Sequence, residues 1–190
     1  MAVPRLTAAN TTLLIVDVQE KLLPAIPDRS QLVTNISFLL DTAALVDLPV
    51  RVTEQYPQGL GSTITALANK LPGERRAKKS FSCCGAAGLV ESLDTHRPWV
   101  LLAGMETHVC VSQTALDLLD RGFRVALPVD AVSARFRLDH ETALARLREA
   151  GALLTTVEAA GFEWLGSADH SRFKDFSKLV QERAKMVGKQ

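Results

Sequence analysis

Cysteine is scarce in this chain and aromatic residues are few: three Cys, one Tyr and two Trp among 190 residues. Three thiols cannot all pair within one chain, and two of them, Cys83 and Cys84, are neighbours. No disulfide framework is expected, and a reducing, cytoplasm-like compartment is. Composition does not separate cytoplasm from mitochondrion. Long apolar runs are missing as well. No stretch approaches the ~20 residues of a membrane span, and Met1–Asn10 lacks the basic start and apolar core of a secretory signal. Nor is there charge of one sign: 22 Lys and Arg against 21 Asp and Glu leave a formal net charge of +1, which argues against a nucleic-acid surface. Trp99 and Trp164 have no aromatic company that would build a stacking platform. The four histidines, His96, His108, His140 and His170, stand at no ligand-like spacing with carboxylates or thiols, so neither a metal nor another cofactor is expected. No repeat, low-complexity tract or linker interrupts the chain, and its length suits one domain over residues 1–190.

What is present is alternation. Thr12-Leu13-Leu14-Ile15-Val16-Asp17 is an apolar run stopped by a carboxylate, the pattern of a strand buried on both faces. Between Asp28 and Asp47 the period becomes helical, with Leu32, Ile36, Leu39, Leu40, Ala43 and Ala44 on one face and Pro49 beyond the end. Pro49–Glu54 reads as the second strand, Ser62–Lys70 as a short helix, and Arg76–Phe81, placed by its position in the alternation, as the third strand. A helix over Ala86–Leu93 leads to the fourth strand, Pro98–Ala103. His108–Asp120 is helical and stops at Gly122; Phe123–Val129 is the fifth strand; Asp139–Ala150 is a helix stopped by Gly151; Ala152–Val157 is the sixth strand. Such alternation predicts a parallel sheet covered by helices on both faces. The tail from Asp169 to Lys185 carries Phe173, Phe176, Leu179 and Val180 on one stripe, so a C-terminal helix over 169–186 is expected to pack on its own domain or on a neighbouring subunit.

Three residue types fall where strands end: Asp17, Lys78 and Cys110. In an open parallel sheet, ligands bind beyond the carboxyl ends of the strands, where the strand order reverses. If the first and fourth strands are neighbours there, Asp17 and Cys110 converge from distant stretches and Lys78 joins them. A thiol in the first turn of a helix meets unpaired backbone N–H groups and the positive end of the macrodipole, which favour thiolate and can hold an oxyanion. Each residue alone has a plainer explanation. An Asp at a strand end usually caps or anchors, a Lys within Arg75-Arg76-Ala77-Lys78-Lys79 usually faces water, and a lone intracellular Cys usually packs as a small apolar side chain. His108, two residues before Cys110, diverges from it by about 200° on a helix, so a Cys–His dyad would have to use His140 from another segment.

The sequence nevertheless resembles the isochorismatase-like cysteine hydrolases. The resemblance rests on Leu14-Ile15-Val16-Asp17-Val18-Gln19, on Lys78-Lys79-Ser80-Phe81-Ser82, on Gly104-Met105-Glu106-Thr107-His108-Val109-Cys110-Val111, and on Val129-Asp130-Ala131. Thr53-Glu54-Gln55-Tyr56-Pro57 with Gly59-Leu60-Gly61, and the tail around Asp169-His170 and Phe173-Lys174, are similar to the isochorismatase-domain-containing branch. The resemblance spans roughly residues 10 to 183. It implies a Rossmann-like three-layer α/β/α sandwich with a six-stranded parallel sheet in the order 3-2-1-4-5-6, and an Asp17–Lys78–Cys110 triad. It also implies a cis Met105–Glu106 peptide, with the N–H groups of Glu106 and Cys110 as oxyanion donors. Gln55, Tyr56 and Phe81 are the residues expected to line a substrate pocket. The nicotinamidase branch binds a metal through Asp-x-His; here the corresponding stretch, Glu54–Gly59, has no histidine. True isochorismatases cleave a vinyl ether without a thiol, so a retained Cys110 points to acyl chemistry. The expected activity is hydrolysis of a small amide-like C–N bond through a thioester, by a homo-oligomer, dimer or larger, with no nucleic-acid or membrane partner. A catalytically vestigial small-molecule binder on the same fold, or a pure assembly subunit, is the competing expectation.

Overall fold

The computed structural model describes residues 5–188. β1 (Thr11–Val16) is buried along its whole length because it lies between β2 (Val50–Gln55) and β4 (Trp99–Met105), with parallel pairing on both sides. β3 (Arg75–Lys78) pairs with β2 at one edge, and β5 (Arg124–Pro128) pairs with β4. β7 (Leu153–Thr155) forms the other edge against β5, so the order along the sheet is β3-β2-β1-β4-β5-β7. This is the expected arrangement with one addition. A two-residue strand, β6 (Val132–Ser133), takes β5's place beside the last residues of β4, pairing Val132 with Gly104 and Ser133 with Met105. The sheet therefore has seven strands. The sparse apolar content of β3 follows from its edge position, where much of its surface meets water.

The two faces of β1 seed two cores. Leu13 and Ile15, both fully buried, face a layer made by α1 (Arg29–Leu45), α6 (Val157–Leu165) and α7 (Phe173–Val187). Leu14 and Val16 face α4 (Ser112–Asp120) and α5 (Arg137–Glu149) through Val111, Ala115, Leu118 and Leu147. Each such Leu or Ile side chain contributes about 1.5–3 kcal/mol when taken out of water. The helix terminations read from sequence take one form: the N–H after Gly122 and that after Gly151 reach back to Leu118 and Leu147, each at 3.0 Å, closing the helix ends. The C-terminal helix starts at Phe173 rather than at 169 and lies on its own chain. Phe176 is fully buried, edge-on to Phe162 at 4.9 Å and tilted against Phe38 at 5.8 Å.

Other expectations are corrected. Ala86–Leu93 is loop with a single 3-10 turn at Val90–Ser92, because Gly85 precedes it, Gly88 interrupts it, and only two of its side chains, Leu89 and Leu93, are large and buried. Within Ser62–Lys70 only Thr65–Ala68 is helical; α2 (Pro57–Leu60) and α3 (Thr65–Ala68) are single turns. The third strand ends at Lys78, and the apolar run Val157–Leu165 is a helix that the reading missed, capped by Thr156 accepting from Ala159 N–H. Among the described residues no helix is long and apolar enough to cross a membrane.

Candidate active site

The order of strands reverses between β1 and β4, and their carboxyl ends approach unusually closely. At Gly104 (φ +130°) an added Cβ would stand 2.1 Å from the Val16 carbonyl oxygen, so only glycine permits that pairing. One residue past Val16 the chain leaves the strand at Asp17 with φ 53°, a left-handed conformation uncommon outside glycine. Its side chain is fully enclosed. Beyond β4 the Met105–Glu106 peptide is cis, and Thr107–Val111 forms a π-helical turn that carries Cys110 into α4. The sequence expectation of a plain helix from His108 thus gives way to a wider turn at Cys110.

Asp17, Lys78 and Cys110 meet here. Lys78 Nζ donates to Asp17 Oδ2 at 2.7 Å and lies 3.6 Å from Cys110 Sγ. The same ammonium is surrounded by Gln55 Oε1 at 2.6 Å and the carbonyls of Phe81 and Ser80 at 3.0 and 3.2 Å. Five neighbours for three protons leave it a fixed cation rather than a mobile proton donor. Asp17 Oδ1 accepts from Thr53 Oγ1 at 2.8 Å. Sequence reasoning missed Thr53, which faces Asp17 because it pairs with Val16 across the β1–β2 register; a threonine in a strand carries no signal of that duty.

Burial works against the Lys78 ammonium, but Asp17 beside it prevails and holds the lysine above its ordinary value. For Cys110 the balance runs the other way. Burial first, then the Asp17 carboxylate, push the thiol well up, and Lys78 offsets only part of this. The expectation that a helix start favours thiolate is therefore corrected: with 6% of its surface exposed, Cys110 rests as a thiol. Surface clefts such as the 550 Å³ hollow lined by Asp47, Pro49 and Arg51 are formed by none of these three residues.

The residues expected to line a pocket divide into two kinds. Gln55 is committed internally, its Oε1 to Lys78 and its Nε2 to the Lys79 carbonyl at 2.9 Å. Buried Gln19 braces it, accepting from Gln55 N–H at 2.7 Å and donating to the Gln55 and Gly61 carbonyls at 3.0 and 2.6 Å. Tyr56 and Phe81 are about half exposed, at 48% and 54%, on the loops after β2 and β3. Glu106 turns its carboxylate to Arg135, accepting from the backbone N–H at 2.9 Å and from Nε at 3.1 Å. His140 does not pair with the thiol; its Nδ1 lies 2.9 Å from Thr107 Oγ1, and burial lowers its pKa. His108 sits 3.8 Å from Asp139 through Nε2, with Nδ1 buried and unpartnered. Among the described residues, no group of three or more His, Cys, Asp or Glu is arranged to hold a metal ion.

A buried carboxylate, ammonium and thiol at the switch point of a parallel three-layer sheet define a Rossmann-like α/β protein with a cysteine-centred site. An isochorismatase domain matches residues 11–159, and the chain belongs to the isochorismatase family. It is 42% identical over 184 residues to human isochorismatase domain-containing protein 2, covering 95% of this chain and 87% of the relative. The structure titled MAR1 ribonuclease from Caenorhabditis elegans superposes with a TM-score of 0.89 at 38% identity, covering 94% of this chain and 93% of that one. The YcaC gene product of Escherichia coli, described as an octameric hydrolase of unknown specificity, shares the fold with a TM-score of 0.82 at 23% identity, covering 98% and 99%.

Proposed function

We propose that this protein is a cysteine-dependent hydrolase of a small amide-like substrate. The observation that carries the reading is the contact set of Asp17, Lys78 and Cys110, buried together at the sheet's reversal point. Asp17 takes the Cys110 proton as Sγ attacks the amide carbonyl carbon, and the carbonyl π electrons move to oxygen. The backbone N–H groups of Glu106 and Cys110 hold that oxyanion, donors of a kind typically worth about 3 kcal/mol each. The tetrahedral species collapses, the C–N bond breaks, and Asp17 returns the proton to the departing amine, leaving a thioester. Water, deprotonated by Asp17, then adds to the thioester carbonyl; collapse breaks the C–S bond, Asp17 returns that proton to the Cys110 sulfur, and the acid is released. Lys78 keeps the charge on Asp17 compensated throughout.

We assign contact with the substrate's apolar part to Tyr56 and Phe81, the half-exposed side chains of the loops after β2 and β3. With only 6% of its surface exposed, Cys110 favours a small molecule over a polynucleotide as what reaches the thiol. The same closure is the observation that favours a second reading, a vestigial binder. The two part on one experiment: a panel of small amides and esters is offered to the wild-type chain and to Cys110→Ala. Turnover that vanishes in the variant supports the hydrolase; turnover that persists overturns the nucleophile assignment; and a ligand bound without turnover favours the binder. We also propose a homo-oligomer, since Phe136 and Leu138 are 63% and 75% exposed on one segment, and light scattering tests it.

A further inference from the structure

Three buried residues that take no part in the proposed chemistry close a circuit around it. Thr114 Oγ1 donates to the Cys110 carbonyl at 2.6 Å and accepts from the Cys83 N–H at 2.8 Å. Cys83 Sγ lies 3.2 Å from Thr53 Oγ1, and Thr53 Oγ1 lies 2.8 Å from Asp17 Oδ1. From Asp17 Oδ2 the path returns through Lys78 Nζ, at 2.7 Å, to Cys110 Sγ, 3.6 Å further on. Thr53, Cys83 and Thr114 are each 0% exposed.

The direction of these bonds follows from the number of protons. An ionised carboxylate has none to give, so the single hydroxyl proton of Thr53 is committed to Asp17. Thr53 can then only accept from Cys83, which makes the Cys83 S–H the donor. Burial, followed by the Asp17 charge, pushes that thiol up to about 12, so it keeps its proton at neutral pH. Thr114 is equally fixed, since its proton goes to a carbonyl and its lone pair takes the Cys83 amide. The Thr53 and Thr114 hydroxyls and the Cys83 thiol therefore each have one orientation.

We infer that Thr53, Cys83 and Thr114 are positioning residues that hold the base Asp17 in register with the nucleophile Cys110, Cys83 acting as a hydrogen-bond donor rather than as a packing residue or a redox thiol. The inference rests on the hydrolase reading. It gives the second site cysteine a defined role: orienting the hydroxyl that orients the base.

The test needs no substrate. Iodoacetamide alkylates Cys110 when Sγ bonds to the methylene carbon, iodide leaves and the thiol proton passes to Asp17. The rate at Cys110, resolved from Cys83 and Cys84 by mass spectrometry, is followed across pH for the full chain. Labelling is expected to fall in acid, where Asp17 can no longer accept a proton. A carboxylate that loses a donor holds its proton more tightly, so Thr53→Val should move that fall upward by about one to two pH units. Cys83→Ala should move it in the same direction by less, and Thr53→Ser and Cys83→Ser, which keep a donor, should restore the wild-type profile. Thermal melting monitors folding, and the Cys83→Ala and Cys83→Ser pair decides if Thr53→Val does not fold. Folded Thr53→Val or Cys83→Ala protein with an unmoved profile, or Cys83→Ser behaving like Cys83→Ala, overturns the circuit. Asp17→Asn separates the two claims: without the base, labelling should lose its plateau and climb with thiolate fraction about tenfold per pH unit, so a plateau above the acid limb that survives it overturns the base assignment itself, whereas a plateau lost there with an acid limb unmoved in Thr53→Val overturns only the positioning role.

Discussion

Replacing Lys78 by Met probes the electrostatics of the site while Cys110 itself is kept. Both side chains of the Lys78–Asp17 pair are 0% exposed and their charged atoms are 2.7 Å apart. At an effective dielectric constant of about 20 that separation corresponds to roughly 6 kcal/mol of gross attraction. Desolvation of the two ions cancels much of this in the intact protein, but the substitution does not restore what it cancels. Asp17 is left buried with Thr53 as its remaining side-chain donor, and removing one partner of a buried pair typically costs about 3–5 kcal/mol. For a chain of this size the loss corresponds to a drop of roughly 10 °C in Tm. Urea denaturation of Lys78→Met and wild type at neutral pH reads the difference directly. In the wild type the sign at high pH is fixed. The folded-state pKa of Lys78 is raised above its ordinary 10.5, so its contribution is fully present below that value and is lost as pH rises through the folded one. A Lys78→Met protein within about 1 kcal/mol of wild type at neutral pH would refute a charged, water-free pair.

Three further outcomes are expected. Gly104→Ala forces a Cβ to within 2.1 Å of the Val16 carbonyl at a positive φ; a destabilisation above about 4 kcal/mol, or failure to accumulate folded protein, is expected by circular dichroism and expression tests, and a folded Ala variant of near wild-type Tm contradicts that close approach. Phe176→Ala empties a fully buried position between Phe38 and Phe162 and should cost about 3–5 kcal/mol in urea; a loss under about 1 kcal/mol would mean that the C-terminal helix is not docked on this core. His140 is half-buried with a pKa lowered below 6.5, so as pH falls through 6.5 the unfolded chain takes up its proton first and stability declines; His140→Gln should flatten that part of the pH dependence, and an unaltered slope speaks against a buried neutral imidazole.

The parts of the fold that were legible in the sequence are those where one residue's environment is set by its near neighbours. β1 and β4 are continuous apolar runs because both of their faces are covered, and the ends of α4 and α5 are marked by glycines that close the last turn. β3 was hard to place because an edge strand has little to bury. The missed α6 is apolar nearly all round, so its helical period is weak, and it follows β7 through a single residue, Thr156. The loop over 86–93 imitates a helix in composition, yet the glycines beside and within it break the backbone. In the site, Asp17, Lys78 and Cys110 were visible because they stand at strand ends within a recognisable family pattern.

What the chain determined by itself is periodicity, chain breaks and the identity of the reactive groups, all of which depend on residues a few positions apart. What only the tertiary structure decided is what those groups experience. A sequence shows a cysteine near a helix start; it does not show that burial and a facing carboxylate outweigh the helix end and hold the thiol protonated. Nor does it show that Thr53 and Cys83, from different segments, share a hydrogen bond, since that contact exists only once β2 has paired with β1 and the loop after β3 has folded over the sheet. Solvation and long-range neighbours are properties of the folded interior, and they set the charge states on which any chemistry here depends.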